Sequence, residues 1–129
     1  MSEPKAARKT QGSIPIRKIL KQLDACRRAA AAAPQVAALL DELLAAIGKQ
    51  EGPLTLTPRQ REALSLYYLQ EEARPTQRQV AEQMGCREKQ VGRHLARAVG
   101  KLEKAVNKGT WRRAERRVAG LVDSARVAR

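Results

Sequence analysis

The chain has 129 residues, of which 26 are Lys or Arg and 13 are Asp or Glu, so its net charge is +13. Hydrophobic residues make up 43% of the chain, but Phe is absent and the aromatic side chains number three, so the core must be aliphatic. This length allows one compact domain with helical extensions. The excess of cations points to a polyanionic partner, and to nucleic acid before a membrane.

Cysteine, histidine and hydropathy exclude several other classes of protein. Cys26 and Cys86 are too far apart in the sequence to suggest a disulfide framework, and His94 is the only His. We therefore expect two reduced thiols, no metal site and no cofactor. The sequence has no run of 18 apolar residues, so it predicts no transmembrane helix, and we expect no membrane partner. The basic N-terminus lacks the apolar segment of a signal peptide, so residues 1–12 are predicted to be a disordered basic arm of a cytoplasmic protein.

Helical periodicity predicts a helical hairpin over residues 13–48. The first helix ends before Pro34, and the second covers about residues 35–47, with Gly48 as the residue after its end. Because almost nothing joins these helices, they form either an antiparallel hairpin or one kinked helix. The second helix is Leu-rich and lies in a stretch, residues 30–56, that carries a net charge of −2 in a basic chain. We expect the hairpin to cap the remaining core, form a homodimer or contact a partner. The candidate contact residues are Leu39, Leu40, Leu43 and Leu44.

Two capping-box sequences mark the next two helices. Thr57 begins a third helix that reaches about Glu72. Its core candidates are Ala63, Leu64, Tyr67 and Tyr68, with Tyr67 favoured over Tyr68 as the inward ring. Thr76 begins a short fourth helix that Gly85 ends. Its inward residues are expected to be Val80, Ala81 and Met84.

Two longer helices complete the predicted bundle. The fifth helix starts near Arg87, runs to about Asn107 and ends at Gly109. Its predicted inward face is Val91, Leu95, Ala98, Val99, Leu102 and Val106. Thr110 is expected to cap a basic amphipathic sixth helix over residues 110–129. The predicted buried stripe of that helix is Trp111, Ala114, Val118, Leu121, Val122 and Ala125. No strand pattern is present, so the predicted fold class is an all-α multi-helix bundle.

A short helix, a glycine turn and a longer helix are typical of a helix-turn-helix, and residues 54–108 are predicted to be such a domain. If the fifth helix enters a major groove, the N-terminal half of that helix must present polar groups opposite its Val91–Leu95 face. Arg, Gln and Glu side chains have the donors and acceptors that base edges match. The predicted base-reading residues are Glu88, Lys89, Gln90, Arg93, His94 and Arg97.

Other basic side chains are predicted to contact phosphates. They are Arg78, Arg87, Lys101, Lys104, Lys108, Arg112, Arg113 and Arg116. Arginines crowd the first two turns of the sixth helix, where they oppose the helix dipole. Phosphate contact, a solvated face and contact with a membrane surface stay open as explanations for them. Trp111 is interpreted as a core anchor, with base stacking as the alternative.

Four stretches of the chain resemble sigma factor region 4. They are Leu56-Thr57-Pro58-Arg59-Gln60-Arg61-Glu62-Ala63-Leu64, Tyr67-Tyr68-Leu69, Val80-Ala81-Glu82-Gln83-Met84-Gly85, and the set Val91, His94-Leu95, Arg97-Ala98 and Lys101-Leu102. The related LuxR-type domains share the Leu-Thr-Pro-Arg opening. The resemblance covers about residues 54–106 and implies a bacterial or phage domain that binds the −35 promoter element and the flap of RNA polymerase. Arg87 stands where a Ser cap is usual, and Gly92 lies inside the recognition helix.

Together these features predict a DNA-binding transcription regulator of the sigma region 4-like type. Its recognition helix, at about residues 87–106, would bind double-stranded DNA in the nucleoid. We do not expect an enzyme, because the sequence has no Gly-rich phosphate loop and no usefully spaced pair of carboxylates. The alternative is an interaction protein that docks on RNA polymerase or on a sigma factor through the region 4-like fold and the Leu-rich second helix.

Overall fold

The computed structural model describes residues 14–70 and 75–127, the last three of them as backbone only. This part of the chain contains helices and no strand, which confirms the predicted all-α bundle. The helices are α1 (Ile16–Lys21), α2 (Leu23–Ala30), α3 (Pro34–Gly48), α4 (Pro58–Tyr68), α5 (Gln77–Met84), α6 (Glu88–Ala105) and α7 (Lys108–Val127).

The N-terminal segment is both kinked and folded back on itself. Gln22 leaves the helical conformation, with φ −112° and ψ 29°, and so separates α1 from α2. Residues 31–33 then reverse the chain, and α2 packs against α3. Pro34 is the first residue of α3, where its missing N–H has no helical partner to lose. The prediction for Gly48 is wrong, because α3 includes Gly48 and ends at the extended Lys49.

Helix α6 occupies the centre of the bundle. It packs against α4 and α5 on one side and against α1 and α3 from the N-terminal hairpin on the other. The predicted inward face of α6 is confirmed, since each of its six side chains is at most 6% exposed. These residues are Val91, Leu95, Ala98, Val99, Leu102 and Val106. Helix α7 packs mainly on α3, with further contacts to α1 and α2.

The Leu-rich helix α3 faces the chain's own core, which corrects the prediction of a partner or dimer contact. Leu39 and Leu43 are fully buried and Leu40 is 5% exposed. Because α3 packs against α2, α6 and α7, the chain itself already covers these three side chains. Leu44, at 39% exposed, is the remaining member of the predicted set that reaches the surface.

Helix α4 starts as predicted but ends earlier. The hydroxyl of Thr57 accepts a hydrogen bond from the Gln60 N–H, and the Gln60 side-chain oxygen accepts one from the Thr57 N–H, both at 3.1 Å. At the other end the Gln70 side-chain amide donates to the Ser65 carbonyl at 3.4 Å, which satisfies part of the helix C-terminus. The predicted helix end at Glu72 lies outside the described residues.

The preference for Tyr67 as the inward ring is wrong. Tyr68 is buried, at 4% exposed, while Tyr67 is half-buried. The two rings meet edge to face with centroids 4.8 Å apart, so Tyr67 packs on the outer side of Tyr68. The Tyr68 hydroxyl accepts a hydrogen bond from the Arg17 guanidinium at 3.2 Å, which joins α4 to α1.

Helix α7 begins two residues before the predicted cap. Its start is set by Asn107, whose side-chain oxygen accepts a hydrogen bond from the Gly109 N–H at 2.7 Å. Gly109 therefore lies inside α7, and Thr110 is 7% exposed and packs as a core residue. Ala114 and Val118 are buried as predicted, and Trp111 is partly buried against the core, as expected of an anchor. The predicted basic arm at residues 1–12 and the side chain of Ala125 lie outside the described residues.

Candidate nucleic-acid interface

The turn between α5 and α6 has the geometry that the sequence predicts. Helix α5 starts with a complete capping box, in which the Thr76 hydroxyl accepts from the Gln79 N–H at 3.1 Å and the Gln79 side chain accepts from the Thr76 N–H at 2.9 Å. Gly85 ends α5 with φ +69°, a left-handed conformation that favours glycine. The Cys86 N–H then donates to the Ala81 carbonyl at 2.9 Å, which closes the turn.

The start of α6 has only half of a capping box. The Gln90 side-chain oxygen accepts a hydrogen bond from the Arg87 N–H at 3.0 Å. The Arg87 side chain has no acceptor and makes no capping hydrogen bond, so N–H groups in the first turn of α6 have no side-chain partner. A helix start of this kind suits an anion such as a phosphate oxygen.

The exposed side of α6 is a basic stripe. Lys89, Arg93, Arg97 and Lys104 are all exposed, and their spacing places them on the face opposite the buried Val91 and Leu95. None of the four side chains has a hydrogen bond or ion pair within the described residues. At a rise of 1.5 Å per residue, Lys89 and Arg97 are about 12 Å apart along α6, close to the width of a major groove.

Three other predicted base-reading residues are placed differently. Glu88 is exposed in the first turn of α6, where a carboxylate is favourable for the helix dipole. Gln90 uses its side-chain oxygen at the helix start, so it is not available in this conformation for a bidentate contact with adenine. His94 is half-buried at the edge of the exposed face.

Lys101 is half-buried, and its hydrogen bonds within the chain argue against its predicted phosphate role. Its ammonium group donates to the Thr55 carbonyl and to the Gln60 side-chain oxygen, both at 2.8 Å. Gln60 is 5% exposed, and its side-chain oxygen also accepts a hydrogen bond from the Thr57 N–H. This one oxygen therefore links the start of α4 to α6. Lys101 therefore fixes the segment before α4 onto α6.

Sequence reasoning missed two arginines that hold the helix-turn-helix in place. The Arg59 guanidinium donates to the Met84 carbonyl at 3.0 Å and pairs with Glu62 at 3.2 Å, so it binds the end of α5 to α4. Arg61 donates to the Ile47 carbonyl at 3.3 Å, and to two further carbonyls in the segment that joins α3 to α4. Both arginines lie near the start of α4, where a cation opposes the helix dipole. The sequence could have indicated these contacts, because an arginine in an unfavourable position at a helix start is expected to bind an acceptor elsewhere in the chain.

The remaining predicted phosphate-contacting residues lie on the surface of three elements. Arg78 is exposed in α5 and Arg87 is exposed at the turn. On α7 the exposed basic side chains are Lys108, Arg112, Arg113, Arg116 and Arg117. The structure thus exposes every predicted phosphate-contacting side chain except that of Lys101, which is half-buried and internally bonded.

The thiols differ in environment. Cys26 is fully buried in α2, and burial raises the pKa of its thiol because the thiolate would be desolvated. Cys86 is half-buried at the turn that precedes α6. Among the described residues, no group of three or more His, Cys, Asp or Glu side chains is arranged to hold a metal ion, and no helix is long and apolar enough to cross a membrane.

Comparison with known proteins identifies the segment that contains this turn. Residues 54–102 match the family model described as Sigma-70, region 4. These residues include α4, α5 and most of α6, together with the contacts of Lys101 to Thr55 and Gln60. Comparisons with curated proteins and with solved structures give no match. Residues 54–102 of this chain are therefore a sigma-70 region 4-like helix-turn-helix, built into an all-α bundle.

Proposed function

We propose that this protein is a DNA-binding transcription regulator in which the N-terminal half of α6 enters the major groove of double-stranded DNA. The observation that carries the proposal is the basic stripe of α6 on a region 4-like helix-turn-helix. Arg93 and Arg97 are the proposed base-reading residues, because an exposed guanidinium can bridge the O6 and N7 atoms of guanine. Lys89 and His94 lie beside them.

The proposed phosphate contacts flank this reading surface. Arg78 on α5, Arg87 at the turn and Lys104 near the end of α6 are exposed. A phosphate near Arg87 would also accept hydrogen bonds from the N–H groups that the half capping box leaves without a side-chain partner. The affinity of a protein that binds mainly through such contacts would fall steeply with salt.

The double substitution R93A/R97A tests the groove assignment. DNA recovered by selection from random duplexes at near-physiological salt serves as the ligand, and fluorescence anisotropy gives Kd. We expect affinity for the selected sequence to fall at least about 10-fold, since each good bidentate contact contributes about 1–3 kcal/mol. The circular-dichroism spectrum and Tm should stay close to those of the parent, because both side chains are exposed and form no hydrogen bond or ion pair within the described residues.

The matched control is K18A/K49A, which removes the same charge from two exposed side chains, one on α1 and one directly after α3. The control should change Kd less than the test variant and leave sequence preference intact. Equal loss in the two variants would mean that net charge, and not the α6 surface, determines binding. Unchanged affinity in R93A/R97A would refute the groove assignment.

The match to sigma-70 region 4 favours a second candidate, docking on RNA polymerase or on a sigma factor. The Leu-rich helix does not supply the surface for it, because Leu39 and Leu43 are buried. The test is capture of purified polymerase by the immobilised chain after nuclease treatment. Retention without DNA supports docking, whereas retention that requires DNA supports the regulator alone.

A further inference from the structure

The basic face of α7, defined by Lys108, Arg112, Arg113, Arg116 and Arg117, lies outside the segment that matches sigma-70 region 4. We propose that this face binds the phosphate backbone of duplex DNA beyond the base pairs read by α6. The proposal rests on the proposed function and extends it to a second contact surface on the same DNA.

The five side chains are exposed and have little to neutralise them. None of them forms an ion pair within the described residues, and the single internal contact is a 3.5 Å hydrogen bond from Arg113 to the Thr110 hydroxyl. Glu115 is the one acidic residue among the first three turns of α7. A concentrated, unpaired positive surface is complementary to a regular array of phosphates.

The arrangement disfavours the helix when no anion is bound. Positive charges near a helix N-terminus oppose the helix dipole, and like charges four residues apart repel each other. Three such pairs occur, Lys108 with Arg112, Arg112 with Arg116 and Arg113 with Arg117. A bound phosphate backbone turns this repulsion into attraction, so the charges that weaken the free helix would strengthen the complex.

The position of α7 determines which part of the DNA it can reach. Helix α6 has 18 residues, so Lys89 lies about 24 Å from the C-terminal end of α6. Helix α7 starts beyond that end and packs mainly on α3. This distance exceeds the roughly 12 Å width of a major groove, so the face would meet the backbone that flanks the site. Lys104 is exposed between the two surfaces.

The variant R112Q/R116Q tests the proposal, because Gln is close to Arg in helix propensity and removes the positive charge. Binding is measured as a function of salt on duplexes of about 12 and about 30 base pairs that contain the selected sequence. On the longer duplex we expect the slope of log K against log salt to fall by about 2, from about 0.9 per lost contact. On the shorter duplex Kd should stay within about twofold of the parent, and Tm should be equal or higher.

The control K18Q/K49Q removes two exposed charges, one on α1 and one directly after α3. An equal fall in its slope on the longer duplex would assign the effect to net charge and overturn the proposal. If the slope of log K against log salt on the longer duplex is the same in R112Q/R116Q as in the parent, the proposal is overturned as well. The basic face of α7 would then be a solvated surface. If that slope persists while binding to phosphatidylserine vesicles is lost, the face belongs to a membrane surface instead. If the parent binds neither duplex, both the proposed function and this proposal are refuted. If the parent binds the shorter duplex and its salt slope is the same on the longer one, only the proposal for α7 is refuted.

Discussion

Lys101 offers the sharpest test of the structure, because the sequence and the structure give it opposite roles. The sequence places it among the phosphate-contacting residues of α6, whereas the structure has its ammonium group bound to Thr55 and Gln60. The substitution K101M keeps most of the aliphatic side chain and removes the charge and the donors. We expect K101M to lower stability and to leave the salt dependence of DNA binding unchanged.

The expected loss follows from the two hydrogen bonds of 2.8 Å. A hydrogen bond to a charged group contributes about 1.5–3 kcal/mol, and Lys101 is half-buried, so water replaces part of what is lost. Gln60 keeps its bond from the Thr57 N–H, but the Thr55 carbonyl loses the ammonium donor. Together these changes give a destabilisation of about 2 kcal/mol. For a chain of this length, such a loss lowers Tm by roughly 8 °C.

Urea and thermal unfolding followed by circular dichroism measure the stability, and anisotropy titrations at several salt concentrations measure the slope. The comparison variant is K104M, because Lys104 is exposed on the same helix and forms no hydrogen bond or ion pair within the described residues. K104M should change stability by less than about 0.5 kcal/mol and lower the salt slope by about 1. The reasoning is refuted if K101M keeps parental stability and lowers the slope in the same way.

Three further predictions follow from contacts elsewhere in the molecule. R61A should destabilise the chain by about 2 kcal/mol in urea, because Arg61 donates to carbonyls on both sides of the segment between α3 and α4; a change below about 0.5 kcal/mol would show that water replaces these bonds. G85A should cost about 1 kcal/mol in thermal unfolding, since φ is +69° there, whereas G100A should stabilise by about 0.5–1 kcal/mol because a Cβ there meets nothing within 4 Å; effects of the same sign would contradict the local geometry. The pKa of the buried Cys26 thiol is raised, so the folded chain keeps a proton that the unfolded chain loses, and stability should fall as pH rises above about 9. A C26A comparison isolates that effect, and a thiol reagent should label Cys86 but not Cys26 in the folded chain.

The helices and their buried faces could be predicted because they depend on local patterns. The capping boxes at Thr57 and Thr76 and the glycine at Gly85 lie within a few residues of the groups they bind. The inward face of α6 follows from helical periodicity, which a long amphipathic helix displays clearly. These features identified the helix-turn-helix and the exposed side of its second helix.

The predictions were wrong where two neighbouring residues could each cap a helix, or where the contact partner of a residue lies far away in the sequence. Asn107 and Thr110 are both good caps three residues apart, and the choice depends on Thr110 packing into the core. Lys101 contacts residues 46 and 41 positions earlier in the chain, which no periodicity indicates. The apolar face of α3 was visible in the sequence, but whether it is covered by another molecule or by the same chain depends on tertiary packing.

The central position of α6 has a consequence for engineering. Helices from outside the matched segment, α1 and α3, cover part of the apolar face of α6, and α1 is joined to α4 through Arg17 and Tyr68. A fragment restricted to residues 54–102 would expose that apolar surface to water and lose the hydrogen bonds of Arg61 to the end of α3. Helix α6 is therefore not a portable module. A chimera that transfers α6 has to include the N-terminal hairpin as well. The alternative is to graft only the exposed side chains of α6 onto a host whose own helices already cover its core.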